Sequence, residues 1–132
     1  MKTFRLKIVT PKGIYKEADI EILNIRTTAG QTGILAGHLP LASGFQISEL
    51  NYVEKGERKA YAIAGGFIYV NEQETTVIAN AIESQEEIDL RRAEEAKQRA
   101  EERLKSKNPD IDLIRAEIAL RKAINRISVK NK

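Results

Sequence analysis

The sequence predicts an α+β chain: an N-terminal β-sandwich over residues 1–84, then a C-terminal antiparallel α-helical hairpin over 85–132. Three observations predict it. Up to Ile82, apolar residues alternate with polar ones in short runs divided by turn signals; beyond Ser84 the apolar spacing lengthens to that of a helix; and Lys107-Asn108-Pro109-Asp110 breaks the helical part in two.

Phe4, Leu6 and Ile8 form the first alternating run, ended by Pro11-Lys12-Gly13. Ile20 and Ile22 alternate with Asp19, Glu21 and Leu23 until Thr28-Ala29-Gly30-Gln31-Thr32-Gly33, which reads as a loop. Phe45 to Val53 precedes a turn at Glu54-Lys55-Gly56-Glu57; Tyr61 to Val70 follows, and Thr75 to Ile82 closes the series. Such even spacing suits a sandwich. Gly65-Gly66 inside an apolar run marks a bulge or a tight bend.

Ser84-Gln85-Glu86-Glu87 has the form of a capping box, so the first helix is expected to begin close to Ser84. Asn108 before Pro109 suits an N-cap and a first helical position, with Asp110 and Asp112 favouring the positive end of the helix dipole. The second helix is expected to run to about Val129, with Lys130 and Lys132 complementing its far end. Ala93, Ala96, Ala100 and Leu104 line one helix; Leu113, Ala116, Leu120, Ala123 and Ile127 line the other, with Ile114 and Ile118 beside them. A seam of alanines buries little, at about 0.8 kcal/mol per methyl group, and isolated helices of this length are marginal in water. The hairpin is therefore expected to be weakly held.

Charge works the same way. Arg92, Arg99 and Arg103 stand at i, i+7 and i+11, and Arg115, Lys122 and Arg126 repeat that spacing. A turn near Lys107 sets Arg92 opposite Lys122 and Arg99 opposite Arg115, so closure brings like charges together unless an anion lies between them; Glu83 and Asp89 neutralise only part. A solvated charged face is the plainer reading of such rows.

Net charge is +3, and the first 84 residues are balanced at 9 basic against 9 acidic, so the excess lies wholly in the hairpin. A basic hairpin module binding a polyanion such as nucleic acid is the alternative. The interleaved Glu94, Glu95, Glu101 and Glu102, with every aromatic residue upstream, argue against it. There is no cysteine, which excludes disulfides, thiolate metal sites and thiol nucleophiles. No apolar run approaches a membrane span, and the alternating first residues are unlike a signal peptide, so a reducing, cytosol-like compartment is expected.

The single histidine, His38, has no nucleophile in a defined elbow, and it reads as a loop or interface residue. Gly30-Gln31-Thr32-Gly33 lacks the lysine and the strand-to-helix setting of a phosphate loop, and the acidic residues show no metal-ligand spacing. No catalytic residue and no metal site is expected in this chain.

Four collinear motifs carry a resemblance: Gly33-Ile34-Leu35-Ala36-Gly37-His38-Leu39-Pro40, Ala64-Gly65-Gly66-Phe67-Ile68-Tyr69-Val70, Ile88-Asp89-Leu90-Arg91-Arg92-Ala93, and Ala116-Glu117-Ile118-Ala119-Leu120 through Ala123-Ile124-Asn125-Arg126-Ile127. Together they resemble the ε subunit of bacterial and plastid F-type ATP synthases over the whole chain. The resemblance implies a non-catalytic subunit at the foot of the central rotor. Its sandwich would bind the γ subunit and the c-ring, on the cytoplasmic face of the cell membrane or the stromal face of a thylakoid. Gly30, Gln31, His38 and Leu39 are then candidates for rotor contact.

Family members use the hairpin as a brake on hydrolysis, folded down on the sandwich or extended along γ to meet the α/β catalytic head. In several bacterial relatives the folded form binds ATP as a regulatory ligand without hydrolysing it. The motif of that site is present as Ile88, Asp89, Arg92 and Ala93; Glu83, Arg99 and Arg126 also match, and Lys122 stands where an ATP-binding relative has arginine. Lysine is a point charge without arginine's planar fork. Ala36 replaces a proline common in the family, which leaves that loop less rigid.

Overall fold

The computed structural model describes residues 2–132. Its elements are β1 (Phe4–Thr10), β2 (Gly13–Ile20), β3 (Ile22–Thr27), β4 (Gly30–Ile34), β5 (Leu41–Phe45), β6 (Ser48–Glu54), β7 (Glu57–Val70), β8 (Glu74–Ser84), α1 (Leu90–Lys105) and α2 (Leu113–Lys130). Strands run in the order β2-β1-β8-β7-β5-β3-β4, with β6 bridging β3 and β7. Neighbours are antiparallel except β1 and β8, which run parallel with Ile8 beside Val77.

Alternation puts one side of each strand into a single core. Leu6 and Ile8 of β1, Leu23 and Ile25 of β3, Leu50 and Tyr52 of β6, and Ile63 and Ile68 of β7 are all buried there. Each such aliphatic side chain contributes about 1.5–3 kcal/mol on burial. The long strand β7 pairs first with β6, through Ile63 and Ser48, and then with β5, from Gly66 and Phe45 onward. The change of partner falls at Gly65-Gly66, where φ is 67° and 148°. The β7–β8 ladder keeps one register on both sides, so the glycine pair makes a bend and not a bulge. A Cβ on Gly66 would stand 2.0 Å from the Ile78 carbonyl oxygen and 2.6 Å from the Phe45 ring, so only glycine fits this corner.

Two stretches differ from the sequence expectation. The run from Phe45 to Val53 breaks at Gln46 and Ile47, because Gln46 N–H turns to the Arg26 carbonyl at 3.2 Å and frees β6 to start at Ser48. The expected loop over Thr28 to Gly33 shrinks to Thr28-Ala29. Thr27 Oγ1 accepts from Ala29 N–H at 3.2 Å, Gly30 takes a positive φ of 122°, and Gly30 and Gln31 enter the edge strand β4.

Both helices start later than expected. The capping box forms, with Glu87 N–H donating to Ser84 Oγ at 3.1 Å and Ser84 N–H to Glu87 Oε1 at 3.0 Å, but it closes a turn while Ser84 is still paired in β8. Ile88 must first be buried, and Asp89 is the real cap, accepting from Arg92 N–H at 3.2 Å. Asn108 likewise closes a turn, onto Asp110 N–H at 3.0 Å. Asp112 caps α2 by accepting from two donors, Ile114 N–H at 3.0 Å and Arg115 N–H at 3.1 Å.

The buried residues of α1 are Ala93 and Ala100, and those of α2 are Ala116, Ala123 and Val129. Leu113 and Ile114, expected at the seam, are carried outward in the first turn of α2, and Ile114 is 71% exposed. Against the sandwich, the hairpin's apolar contact is a small cluster of Val129, Ile88 and Ala62, apart from the main core.

Candidate functional site at the hairpin–sheet junction

The end of β8 and the second half of α2 bring opposite charges together. Glu83 is the penultimate residue of β8, and Arg126 lies on the face of α2 turned toward it. Arg126 Nη2 donates to Glu83 Oε2 at 3.2 Å, while Nε stands 2.7 Å from Oε1 without hydrogen-bond alignment. Beside this pair a cavity of about 300 Å³ separates hairpin from sheet. Alanines face one another across it, Ala62, Ala64 and Ala81 from the sheet against Ala96, Ala119 and Ala123 from the helices, and Lys122, Asn125, Arg126 and Glu83 supply polar groups. Small side chains on both walls leave the space open, and the asparagine fixes one side, with Asn125 Nδ2 donating to the Ser48 carbonyl at 2.7 Å.

Of the residues expected to bind ATP, Glu83, Lys122 and Arg126 meet at this cavity. The others lie elsewhere. Ile88 is buried against Ala62 and Val129; Asp89 is engaged as the α1 cap; Ala93 is fully buried in the helix seam. Arg92 is exposed, and Arg99 lines a separate hollow of about 250 Å³ with Arg103, Glu102, Ser106 and Ile111. Among the described residues Arg126 alone of the two basic rows has a carboxylate within 4.0 Å.

A polar clasp at the end of α2 escaped the sequence reading. Gln85 Nε2 donates to the Val129 carbonyl at 3.1 Å and to the Lys132 carbonyl at 2.7 Å; Lys130 Nζ donates back to the Gln85 carbonyl at 3.0 Å, and Lys132 Nζ lies 2.9 Å from Glu49. Partners 44 or more positions apart leave no local signal. Tyr15 of β2 was missed for the same reason: its hydroxyl donates to the Glu87 carboxylate. That hydrogen bond, followed by the one from Ser84 N–H, holds the Glu87 carboxyl below its ordinary range, whereas burial first and then Glu87 push the Tyr15 phenol up. Tyr15 meets Tyr61 edge-on at 6.0 Å, and Tyr61 stacks on Tyr52 at 5.5 Å with their hydroxyls 2.8 Å apart.

The rotor-contact candidates fall at the other end of the sandwich. Gly30 and Gln31 sit on β4, at the sheet edge. His38 and Leu39 border a hollow of about 320 Å³ with Pro40 and the β7–β8 turn; His38 Nδ1 donates to the Leu39 carbonyl at 2.6 Å, and Leu39 is 79% exposed. A row of apolar side chains also crosses the outer face of the sheet: Ile14 pairs with Val9, Val9 with Ile78, and Ile78 with Phe67, which is 55% exposed. Phe67 and Ile78 alternate along β7 and β8 with the buried Ile68 and Val77. Among the described residues no cluster of three or more His, Asp or Glu is placed to hold a metal, and no helix is long and apolar enough to cross a membrane.

Residues 3–85 match the family model described as ATP synthase, Delta/Epsilon chain, beta-sandwich domain, and residues 86–131 match the one described as ATP synthase, Delta/Epsilon chain, long alpha-helix domain. The ATP synthase epsilon chain of Clostridium novyi is 46% identical over 108 residues, covering 81% of this chain and 82% of that one. That of Bacillus subtilis is 43% identical over 110 residues, covering 83% of each. Among solved structures, a chain of the Euglena gracilis mitochondrial ATP synthase, in a structure of OSCP, F1 and c-ring, superposes with a TM-score of 0.83 at 25% identity, covering 93% of this chain and 78% of that one.

Proposed function

The chain belongs to the ATP synthase delta/epsilon chain family, and from that membership we propose that it is the epsilon subunit of an F-type ATP synthase. In this reading it is a non-catalytic part of the central stalk that couples proton transport to ATP synthesis. Residues 1–84 bind the γ subunit and the c-ring, and residues 85–132 restrain hydrolysis by engaging the α/β catalytic head when extended. It sits peripherally at the cytoplasmic face of the membrane through the complex. The exposed apolar row of Ile14, Ile78 and Phe67, with Leu39 at the sandwich end, supports a protein partner there.

ATP is the proposed regulatory ligand of the folded hairpin, with Glu83, Ile88, Asp89, Arg92, Ala93, Arg99, Lys122 and Arg126 as its residues. The observation that carries this is the meeting of Lys122 and Arg126 with the apolar cavity, which offers cations for phosphates beside space for a base. A ligand confined to the folded posture stabilises it by RT ln(1 + [L]/Kd), about 2.7 kcal/mol at a hundredfold excess over Kd. The apolar contact of hairpin with sandwich rests on Val129 and Ile88, and burial of such a side chain contributes about 1.5–3 kcal/mol. Two such side chains together contribute about 3–6 kcal/mol, and the Gln85 and Lys130 hydrogen bonds add to them, so a bound ligand is a sizeable fraction of what holds the hairpin down and shifts the balance between the two postures. Calorimetric titration of the full chain with ATP, with and without magnesium, tests the site. Arg92→Ala and Arg126→Ala should each weaken binding about tenfold or more; unchanged affinity in both refutes it. Co-purification with a membrane-bound rotary complex tests the assignment itself.

A further inference from the structure

The hairpin is fastened to the sandwich by one end of one helix. Among the described residues, every polar side-chain contact from the two helices to the sandwich or to Gln85 comes from α2 at or beyond Asn125. The ion pair of α1, Arg91 with Glu95, stays within that helix. Since α1 packs on α2 through the buried alanine seam, it is carried by its partner.

Gln85 stands at the centre of the fastened end. Its backbone N–H donates to the Ala60 carbonyl of β7 at 3.1 Å, which ties it to the sheet. Its other groups face α2: the side-chain amide donates to the Val129 and Lys132 carbonyls, and the backbone carbonyl accepts from Lys130 Nζ. Carbonyls at a helix C-terminus lack the amides that would follow them in an unbroken helix. A donor fixed on the sheet therefore completes α2 only where the helix now lies. Glu49 is prepared in the same way. Buried Asn51 donates to Glu49 Oε2 at 2.8 Å and is itself held by Arg58 Nη2 at 2.9 Å, so the carboxylate beside Lys132 is set from the sandwich side. None of Gln85, Glu49, Lys130 and Lys132 lines the alanine cavity.

We propose that the end of α2 is the catch of the folded posture, with Gln85 as its positioning residue, so that the balance between postures is set at a place apart from the ligand cavity; this rests on the reading of the hairpin as a part that changes posture. One residue serves the helix-end carbonyls and Lys130 alike, so the catch opens as a unit and α1 follows. A ligand of the folded posture acts on a balance that the catch has already fixed. Loosening the catch raises the apparent Kd in inverse proportion to the share of chains still folded down, while the cavity itself is unaltered.

The chain has no cysteine, so Glu72→Cys with Lys107→Cys places one spin label on the exposed β7–β8 turn and one at the exposed hairpin tip. Distances between them in the full chain, read by pulsed paramagnetic resonance, report posture. Gln85→Leu keeps the side chain's length and loses both donated bonds. Without ATP it should raise the share of molecules at a second distance about tenfold, and Lys130→Met should raise it severalfold, with amide protection of the strands unchanged. Saturating ATP should return Gln85→Leu to the natural distribution. Val129→Asp is the positive control. A distribution that neither Gln85→Leu nor Lys130→Met alters, while Val129→Asp does, overturns the catch and leaves the moving hairpin standing. Lost strand protection in Gln85→Leu, with Lys130→Met like the natural protein, also overturns it, since Gln85 then supports the sandwich. If Val129→Asp changes nothing either, the posture reading falls and the catch with it. Release by Gln85→Leu that saturating ATP does not reverse upholds the catch and removes ATP as the ligand of the folded posture.

Discussion

Tyr15, in the second strand of the sandwich, donates its hydroxyl to Glu87, in the turn from which the hairpin leaves, so a residue 72 positions upstream holds the joint between the two parts. Glu87 in turn accepts from Ser84 N–H at 3.0 Å, and the three residues fix the direction in which α1 starts.

Tyr15→Phe should loosen that joint. A hydrogen bond to a carboxylate that water screens contributes on the order of 1 kcal/mol net, so global stability should move little. Amide exchange over Gln85 to Ala93 should rise severalfold. The Glu87 carboxyl titrates below its ordinary value of 4.5 in the folded chain. Its contribution is therefore present above about pH 4.5 and is lost as pH falls through the lower folded value. Denaturation curves between pH 6 and pH 3 should show a shallower acid limb for Tyr15→Phe.

Alkali should act through the tyrosines. Burial raises Tyr52, Tyr61 and Tyr15 above the ordinary phenol value of 10.0. The neutral forms favour folding, so their contribution is complete below about pH 10 and declines as pH rises beyond it. Stability should be flat from neutral pH to 10 and fall steeply above. Tyr52→Phe should reduce the steepness, read by denaturation and by tyrosinate absorbance.

Val129→Asp should separate the hairpin from the sandwich. Val129 is fully buried, and an unpaired carboxylate there costs several kcal/mol. Because its cluster is distinct from the core around Ile8, Ile63 and Ile68, the sandwich should unfold within about 0.5 kcal/mol of the natural protein. Protection along α2 should vanish.

Lys122→Arg should tighten ATP binding about threefold to tenfold, since a planar fork holds phosphate by two bonds where an ammonium acts as a point charge. Calorimetry checks it, and an unchanged Kd would mean that this side chain does not reach the phosphates.

The sandwich was legible because alternation of period two is imposed wherever one face of a strand is buried, as at Leu6 and Ile8, and because Gly65-Gly66 stood out in an apolar run. Helix starts were less legible. Ser84 and Asn108 have the right side chains for caps and do accept the expected bonds, but tertiary demands, above all the burial of Ile88, put the helices' beginnings four or more residues later. The charges of the site were visible as rows. Their sorting into one paired arginine and several free ones was not, since the Glu83–Arg126 contact spans 43 positions. The glutamine clasp and Tyr15 were invisible for the same reason.

The parallel pairing of β1 with β8 also orders assembly in time. The first strand pairs with β2 at once but cannot find its second neighbour until residues near Val77 and Ile78 have left the ribosome, so the platform is completed last at the strand from which the hairpin hangs. A nascent chain stopped after β7 lacks the partner that lies between β1 and β7, and the helices emerge only once that gap is ready to close.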